Sequence, residues 1–174
     1  MKRDWQDERC GAAMPVAETN REMILFDLDG QRFGIELRQV QRVVRAVAIT
    51  PVPGAPATVL GLLNIGGTVI PVMNMRRILH RPERELQLSD QLLIVHTADR
   101  VVALLVDGVL GVYGPRVGGE VPLDTILPGN GLIRGVLRDQ GDLIFIQDVD
   151  AFLSASEIEI FDSASEQHPG VPRV

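Results

Sequence analysis

Three histidines and one cysteine are the side chains of this sequence best suited to metal or nucleophilic chemistry. His80 and His96 lie far apart in the chain, and His168 lies near its C-terminal end, so no two of them have metal-ligand spacing. Cys10 lies in a polar N-terminal segment, where nothing would hold a general base against its thiol. These residues therefore predict neither a metal centre nor a catalytic nucleophile.

Glycine pairs and clustered aspartates are the other features that could indicate chemistry. Gly66-Gly67 and Gly118-Gly119 do not match a phosphate-binding loop, and Gly66-Gly67 lies between two apolar runs, as a hairpin turn does. Asp139-Gln140-Gly141-Asp142 has the composition of a turn, and Asp148 and Asp150 precede an apolar stretch whose helix they would cap. We therefore expect no enzymatic activity and no cofactor.

The composition predicts a folded protein of a reducing compartment. Of 174 residues, 45% are hydrophobic and 23% charged, enough for one domain or two small ones that share a core. The net charge of −6 and 4% aromatic content oppose nucleic-acid binding, which needs a basic surface and stacking side chains. A single cysteine permits no internal disulfide, and no apolar run reaches the roughly 18 residues of a membrane span. We expect a cytoplasmic protein without membrane insertion.

Short apolar runs separated by turn residues indicate an all-β core. Residues 23–28 and 32–37 flank Asp29-Gly30, a pair typical of a two-residue hairpin turn. Residues 59–65 and 68–73 flank a glycine pair in the same way, and a short stretch with helical spacing follows them. Strands of this length with glycine turns predict small closed barrels.

The second half of the sequence repeats the first. An offset of 69 places the apolar positions of 23–43 on those of 92–112, and an offset of 74 carries Gly61 onto Gly135 and Gly67 onto Gly141. Two such matches in the same order predict two similar β subdomains of about five strands and one helix each. The predicted division is a flexible tail at 1–21, a domain at 22–155 and an acidic, partly disordered tail at 156–174, with barrels at about 22–80 and 90–155.

Five motifs, taken in order, carry a family resemblance. They are Phe33-Gly34-Ile35 with Val40-Gln41-x-Val43, ITPVPGAP at 49–56, GLLNIGGTVIPV at 61–72, RVVALLVDGV at 100–109 and Phe161-Asp162-Ser163-Ala164. The ordered set spans about residues 22–165 and resembles the CheW family of chemotaxis coupling proteins. The resemblance implies an all-β fold of two SH3-like five-stranded β-barrel subdomains packed side by side with short helices, and no catalysed reaction.

The resemblance also implies partners and contact residues. A CheW protein joins the regulatory domain of the histidine kinase CheA to the helical cytoplasmic tip of a methyl-accepting chemoreceptor, and further CheW copies can join the array at the inner face of the membrane. By family position, the receptor-groove candidates are Val40, Gln41, Arg42, Val43, Leu92 and Ile94. The kinase-contact candidates are Asn64, Ile65, Gly66, Thr68 and Val69. Leu92 and Ile94 fit core packing as well as they fit a groove, because alternate strand residues face inward.

Two residues depart from the family pattern. Gly66 stands where the family commonly has an arginine, and Arg42 stands where it commonly has an acid. Charge changes at an interface alter partner choice more than fold. The sequence therefore leaves open a scaffold of a non-flagellar pathway that binds kinase or forms rings without normal receptor coupling. A small ligand-binding barrel and an unrecognised catalyst are the remaining alternatives, and no residue pattern favours either.

Overall fold

Short strands dominate the part of the chain that the computed structural model describes, which comprises residues 21–46, 49–114, 120–129 and 131–153. The predicted terminal tails fall outside these ranges apart from Arg21. In chain order, the elements are β1 (Met23–Leu28), β2 (Gln31–Glu36), β3 (Val40–Arg45), β4 (Val59–Ile65), β5 (Thr68–Asn74), α1 (Met75–Ile78), β6 (Gln91–His96), β7 (Val101–Val106), β8 (Gly108–Tyr113), β9 (Val121–Pro122), β10 (Ile133–Asp139), β11 (Asp142–Gln147) and α2 (Val149–Leu153).

Local sequence accounts for the hairpin turns and for the start of each helix. Asp29 and Gly30 have φ values of 57° and 73°, the left-handed backbone that a two-residue turn between β1 and β2 requires. The Asn74 side chain accepts hydrogen bonds from the backbone amides of Arg76 and Arg77 and so caps α1. Asp148 Oδ1 accepts from the backbone amide of Ala151 and caps α2 in the same way, as predicted.

The strands form two sheets, each belonging to one small barrel. The first sheet has the order β8-β1-β2-β11-β10-β9, and we call its barrel the terminal barrel because it includes both ends of the domain. The second has the order β3-β6-β7-β5-β4, and we call its barrel the central barrel. The fold class is therefore the predicted one, an all-β protein of two SH3-like subdomains with short helices.

The sheets do not follow the predicted division into barrels at 22–80 and 90–155. The central barrel is one continuous segment, 40–106, and the terminal barrel combines 23–36 with 108–147. The chain crosses from the terminal to the central barrel through the 3-10 turn Leu37–Gln39 and returns at Asp107. The first hairpin of the first half, β1–β2, thus pairs with β10–β11 of the second half. In the same way, β6–β7 of the second half pairs with β4–β5 of the first.

The internal repeat relates the two barrels despite this exchange of hairpins. The parallel pairing of β5 with β7 places Val72 opposite Ala103, and the pairing of β11 with β2 places Ile146 opposite Gly34. These two pairs are equivalent under the offsets of 74 and 69. The same parallel contact therefore joins a hairpin of one half to a hairpin of the other in each sheet.

The hairpins β1–β2 and β6–β7, which we call the exchanged hairpins, are buried on both faces. Leu92 and Ile94 of β6 pack inside the central barrel, whereas Leu93 and Val95 pack in a cluster shared by both barrels. β1 follows the same alternation, with residues 23 and 25 inside the terminal barrel and residues 24, 26 and 28 in the shared cluster. Burial on both faces explains why these strands are nearly continuous apolar runs. The two barrels share one hydrophobic core and should unfold together.

Two equivalent glycines permit close approach of the backbone in each barrel. A β-carbon added at Gly61 would lie 2.2 Å from the carbonyl oxygen of Thr50, which pairs with β4 at Leu62. A β-carbon at Gly135 would lie 2.9 Å from the carbonyl oxygen of Val121, which pairs with β10 at Val136. The sequence match between these glycines therefore reflects a shared steric requirement at a register shift in β4 and β10.

Candidate contact surface

The outer strand β3 carries four of the six receptor-groove candidates. It pairs with β6 on one side and ends the sheet on the other, so its second edge has no strand partner in the sheet. Gln41 and Arg42 are exposed, Val43 is 37% exposed and Val40 is half-buried against the shared core. The structure thus presents a mixed apolar and cationic edge to solvent.

The other two receptor-groove candidates lie in the core. Leu92 has no exposed surface and Ile94 is 1% exposed, since both side chains point into the central barrel. Of the two interpretations that the sequence left open for them, the structure supports core packing, and Leu92 offers no contact surface to a partner. The run Leu92-Leu93-Ile94-Val95 itself carried the signal, because a strand buried on both faces lacks polar alternation.

The kinase-contact candidates form the exposed end of the β4–β5 hairpin. Asn64, Gly66, Thr68 and Val69 are exposed, Val69 by 55%, and Ile65 is half-buried. Asn64 Oδ1 accepts a hydrogen bond of 2.9 Å from the backbone amide of Gly67, which closes the turn. The hairpin is therefore a well-defined projection with one large apolar side chain exposed near its tip.

A cavity of about 230 Å³ joins β3 to this hairpin. Gln41 and Arg42 line it from β3, and Ile65 and Thr68 line it from the hairpin. Its remaining lining is aliphatic and comes from Ile70, Ile94 and Val101. Residues that the sequence assigned to two separate contacts thus adjoin in one surface, which we call the cavity face. Sequence reasoning missed Ile70 and Val101, whose positions on adjoining strands become visible only once the barrel closes.

Arginines of the described part of the chain differ in whether they have a partner. Arg32 forms a 3.0 Å salt bridge with Asp142, and Arg76, Arg84 and Arg134 also pair with carboxylates. No side-chain hydrogen bond or salt bridge within the described residues involves Arg42 or Arg45, the two cations of β3. Within the described ranges, the cavity face therefore has a positive charge at its rim that no carboxylate pairs with, in a chain whose net charge is −6.

The strand β8 is the counterpart of β3 in the terminal barrel and was not among the predicted contacts. It is also the outer strand of its sheet, and Leu110 and Val112 are 55% and 60% exposed. Gln41 and Val43 of β3 correspond to these residues under the offset of 69. An exposed apolar outer strand is a common site of protein contact. The alternation of apolar residues with glycine in Gly108–Tyr113 was the signal available in the sequence.

A partly buried ionic network ties the β1–β2 turn and the end of β7 to the connection between α1 and β6. The Arg76 guanidinium, 9% exposed, contacts Asp107 at 2.5 Å and Asp29, at the β1–β2 turn, at 3.4 Å. Arg84 contacts Asp107 at 2.9 Å and Asp90 at 2.6 Å. Burial raises the pKa of Asp90, but hydrogen bonds from Arg84 and from the Gln87 backbone amide outweigh it and lower the pKa. Every carboxylate of this network has a cationic partner, as a structural tie requires.

A second cluster surrounds Glu36 at the end of β2. Its carboxylate is 3% exposed and receives contacts of 2.5 to 2.6 Å from Arg21, Arg38 and Arg134. Burial raises the pKa of Glu36, but the three guanidinium hydrogen bonds outweigh it and lower the pKa to about 2. Arg134 also contacts Glu120, so the cluster joins β2 to β10 and anchors the beginning of the domain. A permanently ionised carboxylate enclosed by arginines suits structure better than acid–base chemistry.

The described residues hold little that could perform a reaction. No group of three or more histidine, cysteine, aspartate or glutamate side chains within the described ranges could bind a metal ion. In the same ranges, no helix is both long and apolar enough to cross a bilayer. Two packed barrels with exposed outer strands and an exposed hairpin define a two-subdomain protein of the all-β class.

Comparison with known proteins identifies the family. The CheW-like domain model matches residues 22–157. The chain is 31% identical to the chemotaxis protein CheW of Thermotoga maritima over 134 residues, 76% of this chain and 87% of that one. It is 31% identical to the chemotaxis protein CheW of Bacillus subtilis over 142 residues, 78% of this chain and 88% of that one. The chain belongs to the CheW-like family, and a chemotaxis adaptor or scaffold role follows from that membership.

A solved structure supports the same fold. The scaffolding protein TtCheW from Thermoanaerobacter tengcongensis superimposes with a TM-score of 0.72 over 79% of this chain and 95% of that one, at 21% identity. At this identity the likeness concerns the arrangement of the two barrels.

Proposed function

We propose that this chain is a non-enzymatic adaptor that couples chemoreceptors to the histidine kinase CheA in chemotaxis-type signalling arrays. It binds the regulatory domain of the kinase and the helical cytoplasmic tip of a methyl-accepting receptor, and further CheW copies can extend the assembly. Its place is the cytoplasmic side of the membrane, in receptor arrays. It uses no cofactor and catalyses no reaction.

The observation that carries this proposal is the cavity face of the central barrel. An exposed hairpin and an outer strand, both matched to family contact positions, adjoin across one aliphatic cavity. An amphipathic helix of a receptor tip presents apolar side chains at i, i+3 and i+4, which a shallow aliphatic surface can receive. The hairpin projects beside that surface and can meet a second protein at the same time.

We assign the hairpin Asn64–Val69 to the kinase and the exposed residues of β3 to the receptor. Val69 is the largest exposed apolar side chain of the hairpin, so it is the best candidate for a buried anchor in a kinase complex. Gln41, Arg42 and Val43 are the exposed candidates for the receptor contact, with Val40 at its inner border. Ile94 contributes only as the floor of the cavity.

A second candidate function is a scaffold of a non-flagellar pathway that binds kinase or forms rings without normal receptor coupling. Two residues favour it. Gly66 replaces the arginine that the family commonly has, and nothing lies within 4 Å of a β-carbon added there, so no neighbouring group substitutes for the missing side chain at that point. Arg42 reverses the common acidic charge on the adjoining strand. Together they point to a partner set different from the usual one.

Calorimetric titration of the full chain into the CheA regulatory domain of the same organism tests the kinase assignment. We expect binding in the micromolar range, weakened about tenfold or more by Val69→Glu, because a charge would be buried at the anchor position. Leu143→Glu is the matched control, since Leu143 is the equivalent residue of the β10–β11 hairpin and is 47% exposed. It should leave kinase affinity within about threefold of the unmodified chain.

Each other outcome has a defined meaning. Equal losses in Val69→Glu and Leu143→Glu would remove the hairpin assignment and leave an adaptor with a different kinase face. Absence of kinase binding at high micromolar concentration, with receptor binding intact, would contradict the coupling role. Kinase binding without binding to any receptor of the organism would favour the scaffold.

A further inference from the structure

Arg42 lies at the rim of the aliphatic cavity, and no carboxylate of the described residues pairs with its positive charge. The side chain is exposed and has no hydrogen-bond or salt-bridge partner among the described residues. The other polar groups that line the cavity are those of Gln41 and Thr68, both neutral. The surface therefore combines one cation with an apolar floor, and a carboxylate is the group missing from it.

The size and lining of the cavity restrict what can occupy it. Its volume of about 230 Å³ is below the roughly 300–1,000 Å³ of most small-molecule sites, and it is open to solvent at the rim. Ile65, Ile70, Ile94 and Val101 offer contacts to an aliphatic or aromatic side chain. A single cation at the rim is too little for nucleic acid, whose binding depends on several phosphate contacts. A protein side chain of a partner fits this description best.

We propose that Arg42 is the specificity-determining residue of the receptor contact, and that it selects a helix carrying a carboxylate one turn from the apolar side chain that fills the cavity. The inference rests on the proposed receptor-coupling function and names the chemistry of the partner. On a helix, residues at i and i+3 or i+4 lie on the same face, so one can enter the cavity while the other reaches the guanidinium. An arginine at such a position binds a carboxylate through two parallel hydrogen bonds.

Arg45 provides a matched control on the same strand. It is exposed, has no side-chain partner within the described residues, and is absent from the cavity lining. Arg42→Glu and Arg45→Glu therefore make the same change in net charge on one strand, but only Arg42 lines the cavity. A general electrostatic attraction to an acidic partner would weaken equally in both variants.

The experiment titrates the full-length chain and each variant into purified cytoplasmic fragments of the chemoreceptors from the same organism. Arg42→Glu should weaken receptor binding by roughly tenfold to a hundredfold, because a like-charge contact replaces a charge-assisted hydrogen bond. Arg45→Glu should change it by less than about threefold. Reversal of the matching receptor carboxylate to lysine should restore affinity to Arg42→Glu and lower it for the unmodified chain.

Kinase binding, measured on the same samples, separates the two possible failures. If the unmodified chain binds kinase but no receptor, the receptor-coupling function is overturned and this inference with it. If receptor binding occurs and Arg42→Glu and Arg45→Glu weaken it equally, only the inference is overturned. If Glu157→Gln with Glu159→Gln strengthens receptor binding only while Arg42 is present, the chain's own acidic segment occupies the cavity and the inference is likewise overturned. Thermal melts confirm that each variant is folded.

Discussion

The two outer strands β3 and β8 occupy equivalent places in barrels of the same topology, yet their surfaces are opposite in character. β3 presents Gln41, Arg42 and Val43, whereas the matching positions of β8 present Leu110, Gly111 and Val112. The internal repeat thus preserved the pairing of strands while the exposed residues diverged. A shared scaffold explains the fold of both barrels, and the differences between them indicate which surfaces serve different partners.

The equivalent residues at the ends of β5 and β11 and in the helices that follow them differ as well. Met73 of the central barrel corresponds to Gln147 of the terminal barrel, and Arg76 of α1 corresponds to Asp150 of α2 under the offset of 74. Arg76 holds the β1–β2 turn through Asp29, while Asp150 Oδ1 accepts a hydrogen bond of 2.9 Å from the amide of Ala98, in the β6–β7 turn. A cation of α1 and an anion of α2 therefore make equivalent connections, each from a short helix to the turn of an exchanged hairpin.

The largest expected effect comes from breaking these two connections separately. Arg76→Met should lower the free energy of unfolding by about 2–4 kcal/mol, since it leaves Asp107 and Asp29 beside a largely buried, apolar side chain. Asp150→Ala should cost less than about 1.5 kcal/mol, because Asp150 is exposed and loses chiefly one hydrogen bond to a backbone amide. Urea denaturation of both variants measures the difference. Equal losses would show that the two connections contribute alike and that burial of Arg76 has no energetic consequence.

The hydrophobic cluster shared by the two barrels predicts a second result of the same urea denaturation experiment. Both variants should unfold in one transition with an unchanged dependence on urea, because residues of both barrels pack in one cluster. A separate transition for one barrel in either variant would contradict the inference that the barrels unfold together.

Acid should destabilise the whole fold through Glu36, which has no ionisable counterpart in the other half, where Leu105 stands at the equivalent position. The pKa of Glu36 is lowered to about 2, from 4.5 in the unfolded chain, so its stabilisation is complete above pH 4.5 and is lost as pH falls towards 2. The free-energy difference between the native chain and Glu36→Gln should therefore be greatest near neutral pH, at about 3 kcal/mol or less, and should vanish near pH 2. Urea titrations at several pH values measure it. A difference independent of pH would show that ionisation of Glu36 contributes nothing.

Gln147 offers a way to stabilise one barrel by copying the other. Its side chain is 1% exposed, and neither its amide nitrogen nor its carbonyl oxygen has a hydrogen-bond partner among the residues that the structure describes. Gln147→Met, which introduces the residue of the central barrel, should raise the free energy of unfolding by about 1–2 kcal/mol. The reciprocal Met73→Gln should lower it by a similar or larger amount. A loss of stability in Gln147→Met would reveal that the glutamine has a partner at this position.

Local features were predictable from the sequence because local chemistry determines them. Asp29-Gly30, the cap at Asp148 and the repeated glycines at 61 and 135 each depend on residues close in the chain or on a repeated pattern. The exchange of hairpins was not predictable from the sequence. The strand β2 could share a barrel with β3 or pair in parallel with β11, and the residues of the turns do not distinguish these two pairings. The same limit applies to the cavity face, which exists only after β3 and the β4–β5 hairpin meet.

The smallest expected effect concerns the turns at the tips of the two equivalent hairpins. Gly66 has a φ of 58° and corresponds to Gln140, which has a φ of 49°. The terminal barrel thus already carries a long side chain in this left-handed position. Gly66→Gln should therefore cost no more than about 1 kcal/mol, and Gln140→Gly should gain a similar amount or less. Thermal or urea unfolding measures both.

This tolerance makes Gly66→Arg a clean functional probe, because its β-carbon would have no neighbour within 4 Å and the turn would persist. If the missing family arginine limits coupling, Gly66→Arg should strengthen receptor-dependent kinase control, while Gly66→Gln, with a similar backbone cost and no charge, should not. If both variants behave as the native chain does, Gly66 is a neutral replacement, and the partner choice of the cavity face rests on β3 alone. A loss of coupling in Gly66→Arg would instead show that the exposed guanidinium interferes with the bound partner, as expected for a surface adapted around Arg42.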